Sequence, residues 1–248
     1  MADREKNPCI LVQGAMDVEL SYLLSALEAS RKIQKGAFTF WQGALGGQNI
    51  VLSKTGIGTA LAGAATALGI TTFSPTLIIN QGTAGAYEEQ LGYGDIVLGE
   101  KYFNGNALHT TKTGTKYYID MERLEGESDF QRMFLPQPSY FSASSQALIR
   151  AASLNAVYTE GKVVKGIIAS FDQWNMDQQT ISFLRRTTGA CCEEMESAGS
   201  GVVAQALNTD FLPIRVISNN NTLGTLFRGE TAVSCQKFVE LFLRSYNF

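Results

Sequence analysis

The chain has 248 residues, 45% of them hydrophobic and 24 of them glycine, so it can bury a large core in one α/β domain or in two smaller ones. Its formal net charge is -3 and its lysines and arginines are scattered, which argues against nucleic acid and against an anionic membrane surface as partners. The cysteines form no Cys-x-x-Cys pair and His109 is the single histidine, so we expect no metal site.

The N-terminal segment Met-Ala-Asp-Arg-Glu-Lys-Asn-Pro is charged and leads directly into an apolar run, so we expect no secretory leader. No uninterrupted apolar stretch is long enough to span a bilayer. These features predict a cytoplasmic protein, with residues 1–248 forming one domain.

Apolar patterns with the periods of strands and of helices alternate along the chain. In the first half the predicted order is strand Cys9–Gln13, helix Val18–Leu27, a hairpin of strands Ala37–Trp41 and Asn49–Ser53, helix Thr59–Gly69, and strands Thr76–Asn80 and Asp95–Gly99. In the second half it is helix Ser144–Ala152, strand Val163–Ala169, helix Asp177–Arg186, strand Phe211–Ser218 and helix Gly229–Tyr246. This alternation predicts a three-layer α/β/α fold with a mixed central sheet, and ligands at the carboxyl ends of its strands.

Residues 105–140 fit no regular pattern. They mix Gly, Thr, Lys and Pro with apolar residues such as Phe130, Met133 and Phe134. A long loop of this kind is typically a lid or a subunit contact, so we expect one of these roles.

An acidic stretch, Cys191-Cys192-Glu193-Glu194-Met195-Glu196, precedes a helix made of small, closely packing residues. Carboxylates at a buried helix start need backbone amides, the helix dipole or a polyol ligand as partners. For Glu193 and Glu194, a structural role as acids of the first helical turn and a role in ligand binding are equally favoured. For Glu196 the sequence context favours ligand binding.

Residues that could bind a ligand or take part in a reaction end or follow several predicted strands. They are Gly14-Ala15-Met16 with Glu19, Gly82-Thr83-Ala84-Gly85, Phe171 to Trp174, and Ser218-Asn219. Together with Glu196 they offer acids, a hydroxyl, exposed backbone amides, an aromatic plane and a carboxamide. This set of groups suits a flat heterocycle joined to a polyol.

These motifs resemble the purine nucleoside phosphorylase superfamily, and most closely its 5′-methylthioadenosine/S-adenosylhomocysteine nucleosidase branch. The resemblance is carried by an ordered set of segments covering nearly the whole chain except residues 105–140: Gly14–Glu19, Thr55–Gly58, Asn80–Gly85, Gly94–Val97, Ser170–Trp174, Glu194–Glu196 and Arg215–Asn219. It implies a single nucleoside phosphorylase-type domain that hydrolyses purine nucleosides, forms a homodimer and needs no metal or organic cofactor. For the dimer contact we name Phe103, Leu108 and Phe134.

The resemblance also implies roles for individual residues. Glu19 matches the acid that activates the attacking water, Met195 and Glu196 match the pair that holds the ribose, and Asn219 stands where the family has the aspartate that protonates purine N7. Trp174 matches the aromatic that stacks on the purine. The rest of the implied substrate-binding set is Met16, Ile57, Thr83, Ala84, Glu194 and Ser218. Arg215 is grouped with the catalytic residues, although we favour a structural role in which it pairs with a site carboxylate or a backbone carbonyl.

Two positions depart from the family pattern. Asn219 can donate a hydrogen bond to N7 but cannot supply a titrating proton. Its amide would also suit a 6-oxopurine, so three explanations stay open: a branch that works with asparagine, a base other than adenine, or a change that disables turnover. Asn80 stands where many phosphorylases carry an arginine that binds phosphate, which favours a hydrolase.

Other classes of protein rank lower. A phosphorylase would need cationic phosphate ligands at the matching turns, and Asn80 stands where the phosphate-binding arginine would be. A catalytically silent nucleoside-binding relative depends on Asn219 alone. No Gly-x-Gly-x-x-Gly follows the first strand, which argues against a nicotinamide-dependent dehydrogenase. His109 lies in the irregular segment, so Ser-His-Asp chemistry is not expected and a surface or interface role is favoured.

Overall fold

The computed structural model describes residues 8–121 and 133–246. Its strands are β1 (Cys9–Gly14), β2 (Glu28–Lys35), β3 (Phe38–Leu45), β4 (Gln48–Lys54), β5 (Leu77–Ala86), β6 (Ile96–Asn104), β7 (Leu108–Thr110), β8 (Lys116–Ile119), β9 (Phe134–Leu135), β10 (Phe141–Ser142), β11 (Val163–Ser170), β12 (Ala190–Glu194) and β13 (Asp210–Asn220). Its α-helices are α1 (Ser21–Ala26), α2 (Thr59–Phe73), α3 (Ser145–Ser153), α4 (Gln178–Thr188), α5 (Ser197–Ala206) and α6 (Thr231–Ser245). None of the helices within these residues is long and apolar enough to cross a membrane.

The central sheet is mixed and follows the order β10-β6-β11-β12-β5-β1-β4-β3-β2. Strand β1 is parallel to both β4 and β5, whereas β12 runs antiparallel to β5. The last strand, β13, pairs in parallel with β5 and antiparallel with β6. Because β12 and β11 also connect β5 to β6, the strands β5, β12, β11, β6 and β13 form a closed ring within the larger sheet.

Side chains of β1 alternate between two apolar cores, one on each face of the sheet. Ile10 and Val12 pack in the core that contains Phe238 and Phe242 of α6. Leu11 points to the opposite face and packs in the core that contains Ala198 of α5. Helices therefore cover both faces, and the prediction of a three-layer α/β/α fold with a mixed central sheet is confirmed.

Helices α2 and α5 approach each other closely at glycines. A Cβ atom added at Gly199 would lie 2.1 Å from the backbone oxygen of Thr59, and one added at Gly63 would lie 3.2 Å from the oxygen of Gly199. The small residues of the predicted helix are therefore needed for backbone contact between the two helices. This packing places the start of α5 against the start of α2, where the candidate site lies.

The acidic stretch is a strand rather than the mouth of a helix. Residues Ala190 to Glu194 are all buried in β12, and α5 begins only at Ser197. The interpretation of Glu193 and Glu194 as first-turn acids is therefore wrong. The strand was missed because its acids interrupt the apolar pattern, and their burial depends on hydrogen-bond partners that include residues distant in sequence, such as Tyr87 and Arg215.

Other boundaries also shift. Strand β5 continues to Ala86 and β13 to Asn220, so Gly82 to Gly85 and Ser218-Asn219 belong to strands instead of following them. Strand β2 was missed because it is an exposed edge strand rich in Glu, Arg and Lys, without apolar alternation. The first predicted helix is a short 3-10 helix at Asp17–Glu19 followed by α1.

The segment predicted to be irregular contains a small antiparallel sheet of β7, β8 and β9. Residues 122–132, including Phe130, lie outside the described residues. Phe103 is fully buried in the chain's own core, with Phe171 at a ring-centroid distance of 6.2 Å, so it is wrong as a dimer contact. Leu108 is partly buried against the same core, and Phe134 contacts the ring of His109 at 4.3 Å.

Candidate active site

A cavity of about 280 Å³ opens where the carboxyl ends of several strands meet. It is lined by residues that end or follow β1, β5, β11, β12 and β13, as expected for an α/β fold. All of the residues predicted for the site except Arg215 line it, together with other residues of the same motifs and Phe227, which the sequence did not single out. The complete lining is Ala15, Met16, Glu19, Ile57, Thr83, Ala84, Gly85, Gln173, Trp174, Glu193, Glu194, Met195, Glu196, Ser218, Asn219 and Phe227.

The carboxylate of Glu19 is buried and held by donors from two strands' ends. Its Oε2 accepts hydrogen bonds from the backbone N–H groups of Ala15 at 2.8 Å and Met16 at 3.2 Å. Its Oε1 accepts from the backbone N–H of Thr83 at 2.9 Å and from the Thr83 hydroxyl at 3.3 Å. A Cβ atom at Gly82 would lie 2.6 Å from Oε1, so this position must stay open for the carboxylate. The arrangement fixes an acceptor group at the wall of the cavity.

Arg215 lies behind the cavity and is completely buried. Its Nε donates to Oε2 of Glu194 at 3.0 Å, Nη1 donates to the backbone oxygens of Asn80 and Ile214 at 3.0 Å each, and Nη2 donates to Oδ1 of Asn80 and Oε2 of Glu194. All five guanidinium N–H groups are therefore engaged. Arg215 pairs with both a site carboxylate and backbone carbonyls, which is the structural arrangement expected from the sequence.

Glu194, which lies outside the helix, accepts hydrogen bonds from backbone N–H groups at the start of α5. Its Oε2 accepts the backbone N–H groups of Glu196 at 2.9 Å and Ser197 at 2.8 Å, and its Oε1 accepts from the hydroxyl of Ser170. These N–H groups are among those that a helix start leaves without intrahelical partners. Glu194 thus links the end of β12 to the helix that follows it.

The carboxyl group of Glu196 lines the cavity and has a strongly raised pKa. Its Oε1 accepts the backbone N–H of Gly58 at 3.0 Å, and its Oε2 lies 4.0 Å from Nη2 of Arg215. Burial, followed by the negative charge of Glu194, raises the pKa of Glu196 to about 8, while Arg215 opposes the shift and Glu19 adds to it. The group can therefore change protonation state when a ligand binds near neutral pH.

Two aromatic residues stand at the entrance of the cavity. Trp174 is 56% exposed, and its ring lies 5.8 Å from that of Phe227 in an edge-to-face arrangement. Ile57, which is also more than half exposed, lies on the loop before α2. Phe227 was missed in the sequence because it belongs to an irregular loop after β13 and no periodicity or motif marks it.

Asn219 is buried at the inner end of the cavity. Its Nδ2 donates to Oδ1 of Asn221, and its Oδ1 accepts from the hydroxyl of Ser218 at 3.0 Å. The Ser218 hydroxyl also lies 3.2 Å from the backbone oxygen of Ala84. A neutral carboxamide thus occupies the position where the family resemblance places a carboxylic acid.

The described part of the chain contains no preassembled set of metal ligands. Within residues 8–121 and 133–246, no three His, Cys, Asp or Glu side chains are grouped so that they could hold a metal ion. The carboxylates of Glu19, Glu194 and Glu196 instead accept hydrogen bonds from protein donors.

The fold places a carboxylate-lined cavity at the carboxyl ends of its strands, and the family model for the Phosphorylase superfamily matches residues 10–245. The chain therefore belongs to the phosphorylase superfamily. Among its curated relatives, the 5′-methylthioadenosine/S-adenosylhomocysteine nucleosidase of Anoxybacillus flavithermus is 27% identical and aligns over 96% of this chain and 99% of the relative. The nucleosidase of the same name from Bacillus licheniformis is 30% identical, over 93% and 91%.

A solved structure supports the same grouping. It is the 5′-methylthioadenosine/S-adenosylhomocysteine nucleosidase from Neisseria meningitidis in complex with methylthio-immucillin-A, with a TM-score of 0.80 and 25% sequence identity. The alignment covers 96% of this chain and 99% of the solved chain. The likeness therefore extends over the whole fold rather than over one motif.

The raised pKa of Glu196 predicts how nucleoside binding depends on pH. Ribose hydroxyls bound at Glu196 would donate to it and favour its ionised form, so such binding would release a proton at pH values below about 8. We expect affinity to rise roughly ten-fold or more from about pH 6 to about pH 8 and then to level off. Isothermal titration calorimetry in buffers of different ionisation enthalpy measures both the affinity and the released proton. Glu196→Gln should bind more weakly and without this pH dependence, and a variant that keeps it would exclude Glu196 as its source.

Proposed function

We propose that this chain hydrolyses the N-glycosidic bond of 5′-methylthioadenosine or S-adenosylhomocysteine and releases adenine. The membership of the phosphorylase superfamily and the names of its nucleosidase relatives support this activity. The observation that carries the proposal is the Glu19 carboxylate, which Ala15, Met16 and Thr83 fix at the wall of the cavity.

The chemistry of the reaction explains why the cavity contains carboxylates. Breaking the C1′–N9 bond leaves positive charge on the ribose and sends the bonding electrons to the purine. Water bonds to C1′ as the bond breaks, Glu19 accepts a proton from that water, and the purine takes up a proton from solvent. Met195 and Glu196 hold the ribose, Trp174 stacks on the base, and Asn219 donates a hydrogen bond to N7.

The electrostatics of the cavity favour water over phosphate as the attacking group. Four glutamates, Glu19, Glu193, Glu194 and Glu196, line the cavity. Among the residues that the structure describes, Arg215 is the buried cation next to the cavity, but all its N–H groups are used by Glu194, Asn80 and Ile214. A phosphorylase binds its anionic co-substrate through cationic or bidentate donors. In this chain, Arg215 instead donates its N–H groups to the carboxylate of Glu194 and to neighbouring oxygens of the protein.

Replacing Glu19 tests the proposed water activation. We expect Glu19→Gln to lower kcat by ~10²–10⁴-fold while KM changes little, because general-base assistance acts in the transition state. The assay measures adenine release from 5′-methylthioadenosine with and without added phosphate. Glu240→Gln, which changes a carboxylate on α6 that pairs with Arg244, is the control and should retain activity. Full turnover by Glu19→Gln would refute the assignment.

Replacing Asn219 tests how the purine leaves. Asn219→Asp introduces a carboxyl group beside Oδ1 of Asn221, an acceptor that favours the protonated acid. We expect adenine release to rise ~10-fold or more, since proton donation to a leaving group contributes ~10²–10⁴-fold in enzymes. Single-turnover kinetics isolates this step.

The same experiment distinguishes the remaining explanations for Asn219. If Asn219→Asp is slower and the unmodified chain cleaves 5′-methylthioadenosine rapidly, asparagine is the working residue and the expected gain from an acid is wrong. If neither form cleaves a purine nucleoside and both bind one, the chain is a nucleoside-binding protein without turnover.

We further propose that the chain forms a homodimer in the cytoplasm. Large apolar side chains are exposed on the cavity-lining residues Ile57, Trp174 and Phe227 and on Leu61 and Met176, which lie near Ile57 and Trp174 in the chain, and a second subunit would cover them. Analytical ultracentrifugation at micromolar concentration should show a dimer, and Leu61→Glu should weaken it because it places a charge in the buried contact. A monomer under these conditions would contradict the dimer.

A further inference from the structure

A buried polar network lies between the central sheet and the helices α2 and α5, behind the cavity. Its centre is Asn80 of β5, whose Nδ2 donates to Oε1 of Gln13 at 3.3 Å and to the hydroxyl of Ser200 at 3.1 Å. Nε2 of Gln13 donates in turn to the hydroxyl of Thr66 at 3.0 Å. All of these side chains are buried. The network therefore connects β5 and β1 to α2 and α5 inside the core.

Arg215 fixes the direction of these hydrogen bonds. Its Nη2 donates to Oδ1 of Asn80, and a guanidinium group has no acceptor, so the amide oxygen of Asn80 must face it. The amide nitrogen consequently faces Gln13, whose own oxygen accepts and whose nitrogen donates. The hydroxyl of Thr66 accepts that bond and donates its proton to the backbone oxygen of Ala62 at 2.7 Å. Asn80 is thus held in one orientation, with its acceptor on Arg215.

Nη2 of Arg215 has three acceptor groups around it but only two protons. The protons are used by Oδ1 of Asn80 and Oε2 of Glu194. Oε2 of Glu196 lies 4.0 Å from the same nitrogen, which is beyond hydrogen-bond distance. The Glu196 carboxyl group instead accepts from the backbone N–H of Gly58 at 3.0 Å. Glu196 therefore lies beside the charge of Arg215 without taking one of its protons.

We propose that Asn80 is a positioning residue that keeps Nη2 of Arg215 from bonding to Glu196 and so leaves the Glu196 carboxyl group free to accept from a ligand. Without the Asn80 oxygen, a buried N–H of Nη2 would lack an acceptor, which is unfavourable, and a movement of about 1 Å would bring it to Glu196. An arginine–carboxylate bond formed there would compete with the hydroxyl groups of a ligand. This inference rests on the proposed function, in which Glu196 holds the ribose.

The charged groups that act on Glu196 come from three elements. Burial raises its pKa, and the negative charges of Glu194 on β12 and of Glu19 on the 3-10 helix add to this effect. Arg215 on β13 opposes it, and the facing group at the start of α2 is a neutral backbone N–H. Releasing Arg215 toward Glu196 should therefore lower the pKa of Glu196, whereas a negative charge at Asn80 should raise it. A simple loss of packing would not produce opposite changes.

The test titrates Glu196 directly in the free protein. Isotope-edited NMR of the glutamate carboxyl carbons follows each group with pH, and Glu196→Gln identifies the signal. Asn80→Ala and Asn80→Asp are the variants, and Asn220→Ala is the matched control. Asn220 is also buried, and its Nδ2 also donates to two oxygens, those of Glu88 at 2.8 Å and Leu91 at 2.9 Å. KM for 5′-methylthioadenosine is measured on the same proteins.

The expected result is a pair of opposite changes. In Asn80→Ala the midpoint of the Glu196 titration should fall by about one pH unit or more, because a carboxyl group that gains an arginine partner titrates ~1–3 pH units lower. In Asn80→Asp the midpoint should rise above that of the unmodified chain, and Asn220→Ala should not move it. At about pH 8, KM should rise by about 10-fold in Asn80→Ala, as expected when one hydrogen bond to a charged group is lost.

Several outcomes would overturn the inference. One is an unchanged midpoint in Asn80→Ala, and another is a change in the same direction in both Asn80 variants or in Asn220→Ala. If Asn80→Ala does not fold, Asn80→Asp decides, and a midpoint that does not rise refutes the positioning role. The expected midpoints with an unchanged KM would show that the free carboxyl group holds no part of the nucleoside, which also contradicts the inference. The titration needs no ligand, so it decides the role of Asn80 even if the chain cleaves no nucleoside and the proposed function fails.

Discussion

The buried pair of Arg215 and Glu194 is the interaction on which the site depends. Through it β13 is tied to Asn80 of β5, to the end of β12 and to the start of α5. Removing one partner of a buried pair typically costs ~3–5 kcal/mol, because the other charge is left without compensation. In this chain, loss of Glu194 would also leave the backbone N–H groups of Glu196 and Ser197, at the start of α5, without their acceptor. The pair therefore determines geometry as well as charge at the Glu196 end of the cavity.

The distribution of charge around the pair suits the chemistry that we propose. A cavity lined by carboxylates stabilises developing positive charge on a sugar and disfavours an anionic co-substrate. Glu19 and Glu196 differ in their partners: the first accepts from four donor groups, the second from one backbone N–H. Burial raises the pKa of Glu196 to about 8. The two carboxyl groups are thus placed in different environments within one cavity.

Much of the fold follows from the sequence because buried strands and amphipathic helices have distinct periods. The layers, the mixed sheet and most strand positions were predicted in this way. Strand β12 was not, because its acids are accommodated by Tyr87, Asn175, Asn221 and Arg215, which lie far away in the chain. Phe103 was misplaced for a related reason: an apolar residue beside an irregular segment gives no sign of which surface covers it.

The candidate site shows the same difference between what local sequence patterns predict and what they do not. The residues that line the cavity could be gathered from local motifs because each motif ends a strand at the same edge of the sheet. The partners that orient them could not, since Glu193, Asn175 and Asn221 meet only in three dimensions and hydrogen-bonding polarity has no sequence signature. Phe227 shows the same limit at the entrance, where a loop residue completes an aromatic pair with Trp174.

The closed ring of strands has a consequence for how the molecule is made. Strand β13 pairs with both β5 and β6, so residues 210–220 complete contacts that begin at residue 77. Such long-range pairing slows folding, because the entropy of closing the intervening chain is lost before the contacts form. On the ribosome, β5 and β6 must wait with unpaired edges until the last strand emerges. The pocket and the closed sheet then form in the same late step, and a shortened chain that stops before β13 would expose aggregation-prone strand edges instead of retaining a partial site.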